Sequence, residues 1–462
     1  MPQPVLLTVT VSPMRTLVVV SVLVGLMALL PDPARARSLS LIRDAETERI
    51  IAQFAAPLLR TAGLGERSVT LRVLNDGEVN AFATTESRIF INSGLILRAK
   101  GPDELKGVIA HEIGHVVGGH MLRLRDQVAQ STLSSFVGML AGAALGAAAG
   151  RGDLGGAVAL GAAQMAQRDF LSYTRTQENA ADAFALKALD ATGQSAEGML
   201  RFFDVLSGQE ALMSNNQDAY TRTHPLTRDR METLRAHVAH SGQTGKAPAP
   251  ADVAAFARLK AKLFAFLRPP STTLATYPAS DRSVAGRYAQ AIAYYRSADL
   301  SRALPLMDGL IAEAPTDPYL QELRGQMLFE HQRLAEARTS YAEAARLAPT
   351  EPLILVSLGH VGNEIGEPTT LMEARKALKA AVALDPTNPF AWRQLANAEG
   401  RLGDEGLAAY YLAEMALAGN DPREALAHAK RAEGRLRPGT PEWTRLKDLI
   451  ADAERQQRRQ DQ

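Results

Sequence analysis

The chain is 462 residues long and 46% hydrophobic, too long for one ordinary domain and rich enough in apolar residues for packed cores rather than disorder. Its 51 lysines and arginines against 50 acids leave a net charge of +1, so no overall field draws it to nucleic acid or to an anionic membrane. No cysteine is present, which excludes a disulfide framework and a lipid-bearing cysteine.

At the start, Arg15 precedes an apolar run from Leu17 to Leu30, then Pro31 and an Ala34-Arg35-Ala36 small-x-small site. This reads as a signal peptide over residues 1–36, cleaved near Ala36, which places the mature protein outside a bacterial-type cytoplasm. A start at Met14 would give a more usual n-region. The competing reading is an uncleaved anchor, but the run is short for a span.

Residues 40–62 carry apolar positions at helical spacing, and Val69 to Leu74 read as a strand. Between Asn75 and Gly94, Val79–Ala83 and Arg88–Ile91 form two short β segments of an irregular hairpin. A helix is expected from an N-cap near Asp103 to beyond His120, and a second over Arg175 to Leu189. Between them, residues 133–165 are rich in Gly and Ala and almost uncharged. They read either as small-residue helices packed on the core or as a membrane-inserting or substrate-gating hairpin that would bring peripheral membrane contact; their weak hydrophobicity favours packing.

After His240, Ser241–Ala251 and Pro269–Ser280 read as linkers flanking a connecting helix. Beyond residue 280, Pro315-Thr316-Asp317-Pro318, Pro349-Thr350-Glu351-Pro352 and Pro386-Thr387-Asn388-Pro389 recur at the tetratricopeptide period. Gly325, Ala337, Tyr341, Ala344 and Pro349 occupy that repeat's small, aromatic and proline positions, and Gly359, Ala374, Ala381 and Pro386 repeat them after three inserted residues near Gly366. About four helix-turn-helix units and a capping helix are expected. The whole is α+β and mostly helical: a first domain over 37–240 with a small sheet, a linker over 241–280, and an α-solenoid over 281–462. Nothing in the solenoid carries a catalytic set, so it reads as a binding surface.

In Ala110-His111-Glu112-Ile113-Gly114-His115, two histidines four residues apart share one helix face and can reach one ion, with Glu112 beside them. A catalytic zinc needs a third protein ligand and an open position. Glu178 completes a His, His, Glu set. Asp182, one turn on, is placed to accept a hydrogen bond from the spare ring nitrogen of a ligating histidine. His120 is a rival third ligand, but nine residues from His111 it points about half a turn away if the helix continues. It would reach the ion only if the helix broke near Gly118-Gly119, and packing is the reading adopted.

The series HEIGH, Glu178-Asn179-Ala180-Ala181-Asp182 and Thr223-His224-Pro225 with Arg230 resembles the HtpX/CAAX-prenyl-protease-like zinc metallopeptidases, over roughly residues 40–236. The resemblance implies one zinc ion per chain held by His111, His115 and Glu178, with Glu112 as the catalytic base. It further implies that His224 approaches the metal as a regulatory histidine, followed by Arg230. Asn80, Ala81, Phe82 and Ala83 match the family's segment bordering the active-site cleft, where an extended substrate would pair. A signal peptide in front and repeats behind resemble the family's periplasmic protease-chaperone branch. That implies unfolded or misassembled envelope proteins as substrates, and an outer-membrane assembly complex as the repeat domain's partner. The rival reading is an assembly scaffold with latent protease activity.

Overall fold

The first helix, α1 (Ala45–Thr61), begins where the Asp44 carboxylate accepts the Thr47 amide at 2.7 Å, and it buries Ile50, Ile51, Phe54, Leu58 and Leu59 along one stripe. The computed structural model describes residues 40–66, 68–123, 174–212 and 219–461; the expected signal peptide and the 133–165 segment lie outside them. No helix among the described residues is long and apolar enough to cross a membrane.

Four short strands, β1 (Leu41–Ile42), β2 (Thr70–Leu74), β3 (Ala81–Ala83) and β4 (Arg88–Asn92), form a sheet in the order β1-β2-β4-β3. The expected hairpin is present: β3 lies antiparallel to β4, with Ala81 opposite Ile91, while β2 runs parallel to β4. Period-two alternation sends Leu71, Val73, Ile89, Ile91, Ala81 and Ala83 into the core. Phe82 and Phe90 stack on the other face, centroids 5.3 Å apart.

Against the inner face lie α2 (Ser93–Arg98) and α3 (Pro102–Val117). The sequence placed the start of α3 at Asp103, but Gly101 is its N-cap and Pro102 its first residue, where a missing N–H costs nothing. It also ends earlier than expected. Gly118 closes it, and Gly119 at φ +61° turns the chain out of the helix. Helix α4 (residues 174–191) crosses α3 closely: a Cβ on Gly114 would stand 2.8 Å from the Ala181 carbonyl oxygen. Small residues in both motifs thus allow the two backbones to meet. The helices α5 (Glu197–Leu212), α6 (Ala219–Thr223) and α7 (Arg228–His240) complete this half.

The connecting helix α8 (Pro250–Leu267) has one face in each half. Phe256, Leu259 and Leu263 join the first core, while Ala261 and Ala265 join the core of the first repeat. The stretch after Pro269, expected to be a linker, contains the short helix α9 (Pro270–Thr276).

The repeats form five antiparallel helix pairs among the described residues, not four and a cap. They are α10 (Val284–Arg296) with α11 (Leu300–Glu313), α12 (Pro318–Glu330) with α13 (Leu334–Leu347), α14 (Pro352–Ile365) with α15 (Pro368–Leu384), α16 (Pro389–Arg401) with α17 (Glu405–Ala418), and α18 (Pro422–Glu433) with α19 (Pro441–Gln460). The recurring turn explains itself: Asp317, Glu351 and Asn388 are N-caps and the following proline is N1. The three inserted residues lengthen α15 to 17 residues, against 14 for α11, α13 and α17.

Ion pairs, buried at Glu46 and Lys262 and half-buried elsewhere, join the two halves. Glu46 on α1 meets Arg258 and Lys262 of α8 and accepts from the Tyr288 hydroxyl of α10 at 2.6 Å. Arg258 continues to Asp317 of the first recurring turn, and Arg43 reaches Asp385 at the end of α15 at 2.8 Å.

Candidate metal centre

Four donors converge beneath the crossing of α3 and α4. His111 and His115 come from α3, Glu178 from α4, and His224 from the turn after α6; one ligating atom of each lies within 4.8 Å of all the others, and all four residues are buried. His111 Nε2 is 3.0 Å from His115 Nε2, 3.3 Å from His224 Nδ1 and 3.3 Å from Glu178 Oε2. Glu178 Oε1 is 3.3 Å from His115 Nε2 and 3.2 Å from His224 Nδ1. Tetrahedral ligands on arms of about 2.0–2.1 Å stand about 3.3 Å apart, so the donor set fits a metal ion such as zinc. The fit is also chemical: Glu112 has both carboxylate oxygens buried without a hydrogen-bond partner, as does His224 at Nε2, and these two groups face each other at 3.5 Å.

The surroundings fix these donors. Asp182 takes the Nδ1 side of His111 at 2.8 Å, as its position one turn after Glu178 predicted, which leaves Nε2 for the ion. Arg230, fully buried on α7, binds Asp182 through Nε at 2.6 Å and Nη2 at 2.9 Å, and Glu178 through Nη1 at 2.8 Å. Nη1 also donates to the Pro225 carbonyl at 2.9 Å, holding the turn that carries His224. Burial disfavours a charge on His111, yet the hydrogen bonds it donates to the Asp182 and Glu178 carboxylates raise its pKa to about 9. Burial likewise pushes the Glu178 carboxyl up, but His224, His111 and His115 outweigh it and hold it well below the usual carboxylate range.

The structure places His111, Glu112, His115, Glu178, Asp182, His224 and Arg230 in one buried cluster, and it corrects the helix geometry expected at His120. His120 does not sit half a turn away. The helix breaks at Gly118-Gly119, the condition under which it would have become a rival ligand, yet His120 stays out of the donor set and lies buried with Nδ1 3.0 Å from His115 Nδ1. His224-Pro225 ends one helix and precedes another, and its imidazole enters the site as well.

Of the Asn80–Ala83 segment, Asn80 meets the stretch that carries His224, beside Val79. Tyr220 N–H donates to the Val79 carbonyl at 3.0 Å and Thr223 Oγ1 to Asn80 Oδ1 at 3.3 Å. Among the described residues no strand pairs with the outer side of β3. Tyr220 escaped the sequence reading. It is fully buried, stacks on His224 at 4.7 Å between centroids, and has no partner for its hydroxyl. Its spacing of four from His224 was the available signal.

Residues 42–238 match the model of peptidase family M48. The chain is 24% identical over 315 residues to the beta-barrel assembly-enhancing protease of Yersinia pestis, covering 62% of this chain and 59% of that one. It is 26% identical over 198 residues to the protein of the same name from Escherichia coli strain K12, covering 43% and 40% respectively. The chain thus spans about 40–60% of the length of these relatives. A solved structure of MamA matches 36% of this chain and 98% of its own, with 20% identity and a TM-score of 0.30.

Proposed function

With residues 42–238 forming a peptidase family M48 domain, we propose that the protein is a zinc-dependent endopeptidase of the periplasm. Its substrates are unfolded or misassembled envelope proteins, and its repeats dock a partner of the outer-membrane assembly machinery. The observation that carries the chemistry is the buried His111, His115, Glu178 and His224 set with the unpartnered Glu112 carboxylate beside it. The names of the relatives support the cellular setting.

His111, His115 and Glu178 would hold the ion, and zinc there supplies Lewis-acid polarisation of a water and of the scissile carbonyl. Glu112 takes the proton as the water oxygen attacks the carbonyl carbon, then delivers it to the amine nitrogen when the C–N bond breaks. Asp182, itself held by Arg230, keeps His111 in the tautomer that offers Nε2. An extended substrate adds to the open side of β3, so recognition runs through the main chain and favours unfolded segments. Glu112→Gln should abolish casein cleavage while zinc content stays near one per chain. Retained proteolysis in the pure variant refutes the base assignment.

A second reading, an assembly scaffold with latent protease activity, draws on His224, which supplies a fourth donor where a catalytic site keeps an open position. Complementation of a deletion by Glu112→Gln would favour the scaffold, and its loss would favour proteolysis.

A further inference from the structure

The two helix histidines of the metal set are supported from behind in different ways. His111 rests its Nδ1 on a carboxylate, but among the described residues His115 has none: its Nδ1 lies 3.0 Å from the Nδ1 of His120. Two ring nitrogens at that distance share one proton, so one donates and the other accepts. His115 must keep Nε2 free of a proton to face His111 Nε2 and Glu178, which puts its own proton on Nδ1. His120 Nδ1 is then the acceptor.

The chain departs from helical geometry to make this contact. Gly119, at φ +61°, reverses the backbone directly after α3, and Gly118 leaves room for the returning ring, since a Cβ there would collide with the His120 imidazole. Gln177, one residue before Glu178, donates to the His120 carbonyl at 3.3 Å, tying the turn to the helix that supplies the third ligand. His120 is 3% exposed and lies outside the donor set itself.

We infer that His120 is a positioning residue that fixes the tautomer and ring orientation of the second metal ligand, the part that Asp182 plays for the first. The inference rests on the metal-site reading above. Groups that orient ligating histidines typically set metal affinity by about 10- to 100-fold.

The test compares zinc dissociation constants, by competition between zinc chloride and a chromophoric chelator, for the full chain, His120→Phe and His120→Asn. Phenylalanine keeps the ring volume and removes the acceptor, while asparagine keeps an acceptor oxygen close to the place of Nδ1. The expected result is zinc binding about 10- to 100-fold weaker in His120→Phe and restored to within about threefold of wild type in His120→Asn. A cobalt-loaded His120→Phe should also show altered ligand-field bands, and His120→Asn should not. Wild-type affinity in His120→Phe overturns the inference while the metal site stands. Equal weakening in both variants also overturns it, because the residue then only fills space. Should His120→Phe not fold, His120→Asn decides: wild-type affinity supports the inference, and a tenfold loss overturns it. A wild-type chain that takes up no zinc refutes the metal reading, and this inference with it.

Discussion

Arg230 grips Asp182 by two bonds, Nε to Oδ2 at 2.6 Å and Nη2 to Oδ1 at 2.9 Å, and the same carboxylate holds His111 Nδ1 at 2.8 Å. The guanidinium is 1% exposed, with its third nitrogen on Glu178. A planar fork of five donors makes these contacts and the one to the Pro225 carbonyl together, four in all, where an ammonium has only three donors.

Arg230→Met should therefore destabilise the protein by about 3–5 kcal/mol, because Asp182 and Glu178 remain buried without their cation. Urea unfolding measures it. A loss below about 1 kcal/mol, the worth of an exposed pair, would show that these carboxylates do not depend on Arg230.

His224→Ala should leave zinc bound through His111, His115 and Glu178 and raise cleavage of an unfolded substrate several-fold, since the fourth donor and its stacking on Tyr220 are removed. Steady-state cleavage of reduced casein is the assay. An unchanged or lower rate removes the regulatory role.

The junction between the halves should make stability depend on pH through Glu322. Burial lifts its pKa to about 8; Lys262 opposes the lift, Asp44, Glu46 and Glu351 add to it, and its Oε2 has no partner. An acid whose pKa is raised on folding keeps its proton where the unfolded chain has lost it. Stability therefore falls as pH rises from the ordinary carboxylate range to about 8. Thermal melts across this window should show the fall, and Glu322→Gln should flatten it. Equal slopes in the two proteins would rule out Glu322 as its source.

Lys262, 2.5 Å from Asp44 and 3.1 Å from Glu46, is 3% exposed. Lys262→Met should cost about 3–5 kcal/mol and loosen the repeats from the first half, because two acids lose a buried partner. Limited proteolysis between residues 240 and 290 should accelerate; unaltered cleavage there would count against the junction as the coupling element.

Gly325→Val should cost about 1–3 kcal/mol by overpacking, since a Cβ at Gly325 already stands 2.8 Å from the Tyr341 ring. Glycine and tyrosine were legible in the sequence as a repeat's small and aromatic positions. Here they meet face to face between α12 and α13, and an unaltered melting temperature would refute the tight fit.

What the sequence by itself determined is what repeats or pairs within a few residues. Four-residue spacing put His111 with His115, and Glu178 with Asp182, on common helix faces. The proline-flanked turns marked every repeat boundary they fall on, because N-cap and N1 preferences are local. Only the tertiary structure decided which distant groups meet. The approach of Gly114 to Ala181 joins the two motifs, a glycine pair folds His120 back onto His115, and Tyr220 covers His224. In the same way α8, legible only as a connecting helix, is shared between two cores. Such contacts arise from packing between residues far apart in the chain, and neither periodicity nor propensity encodes that packing.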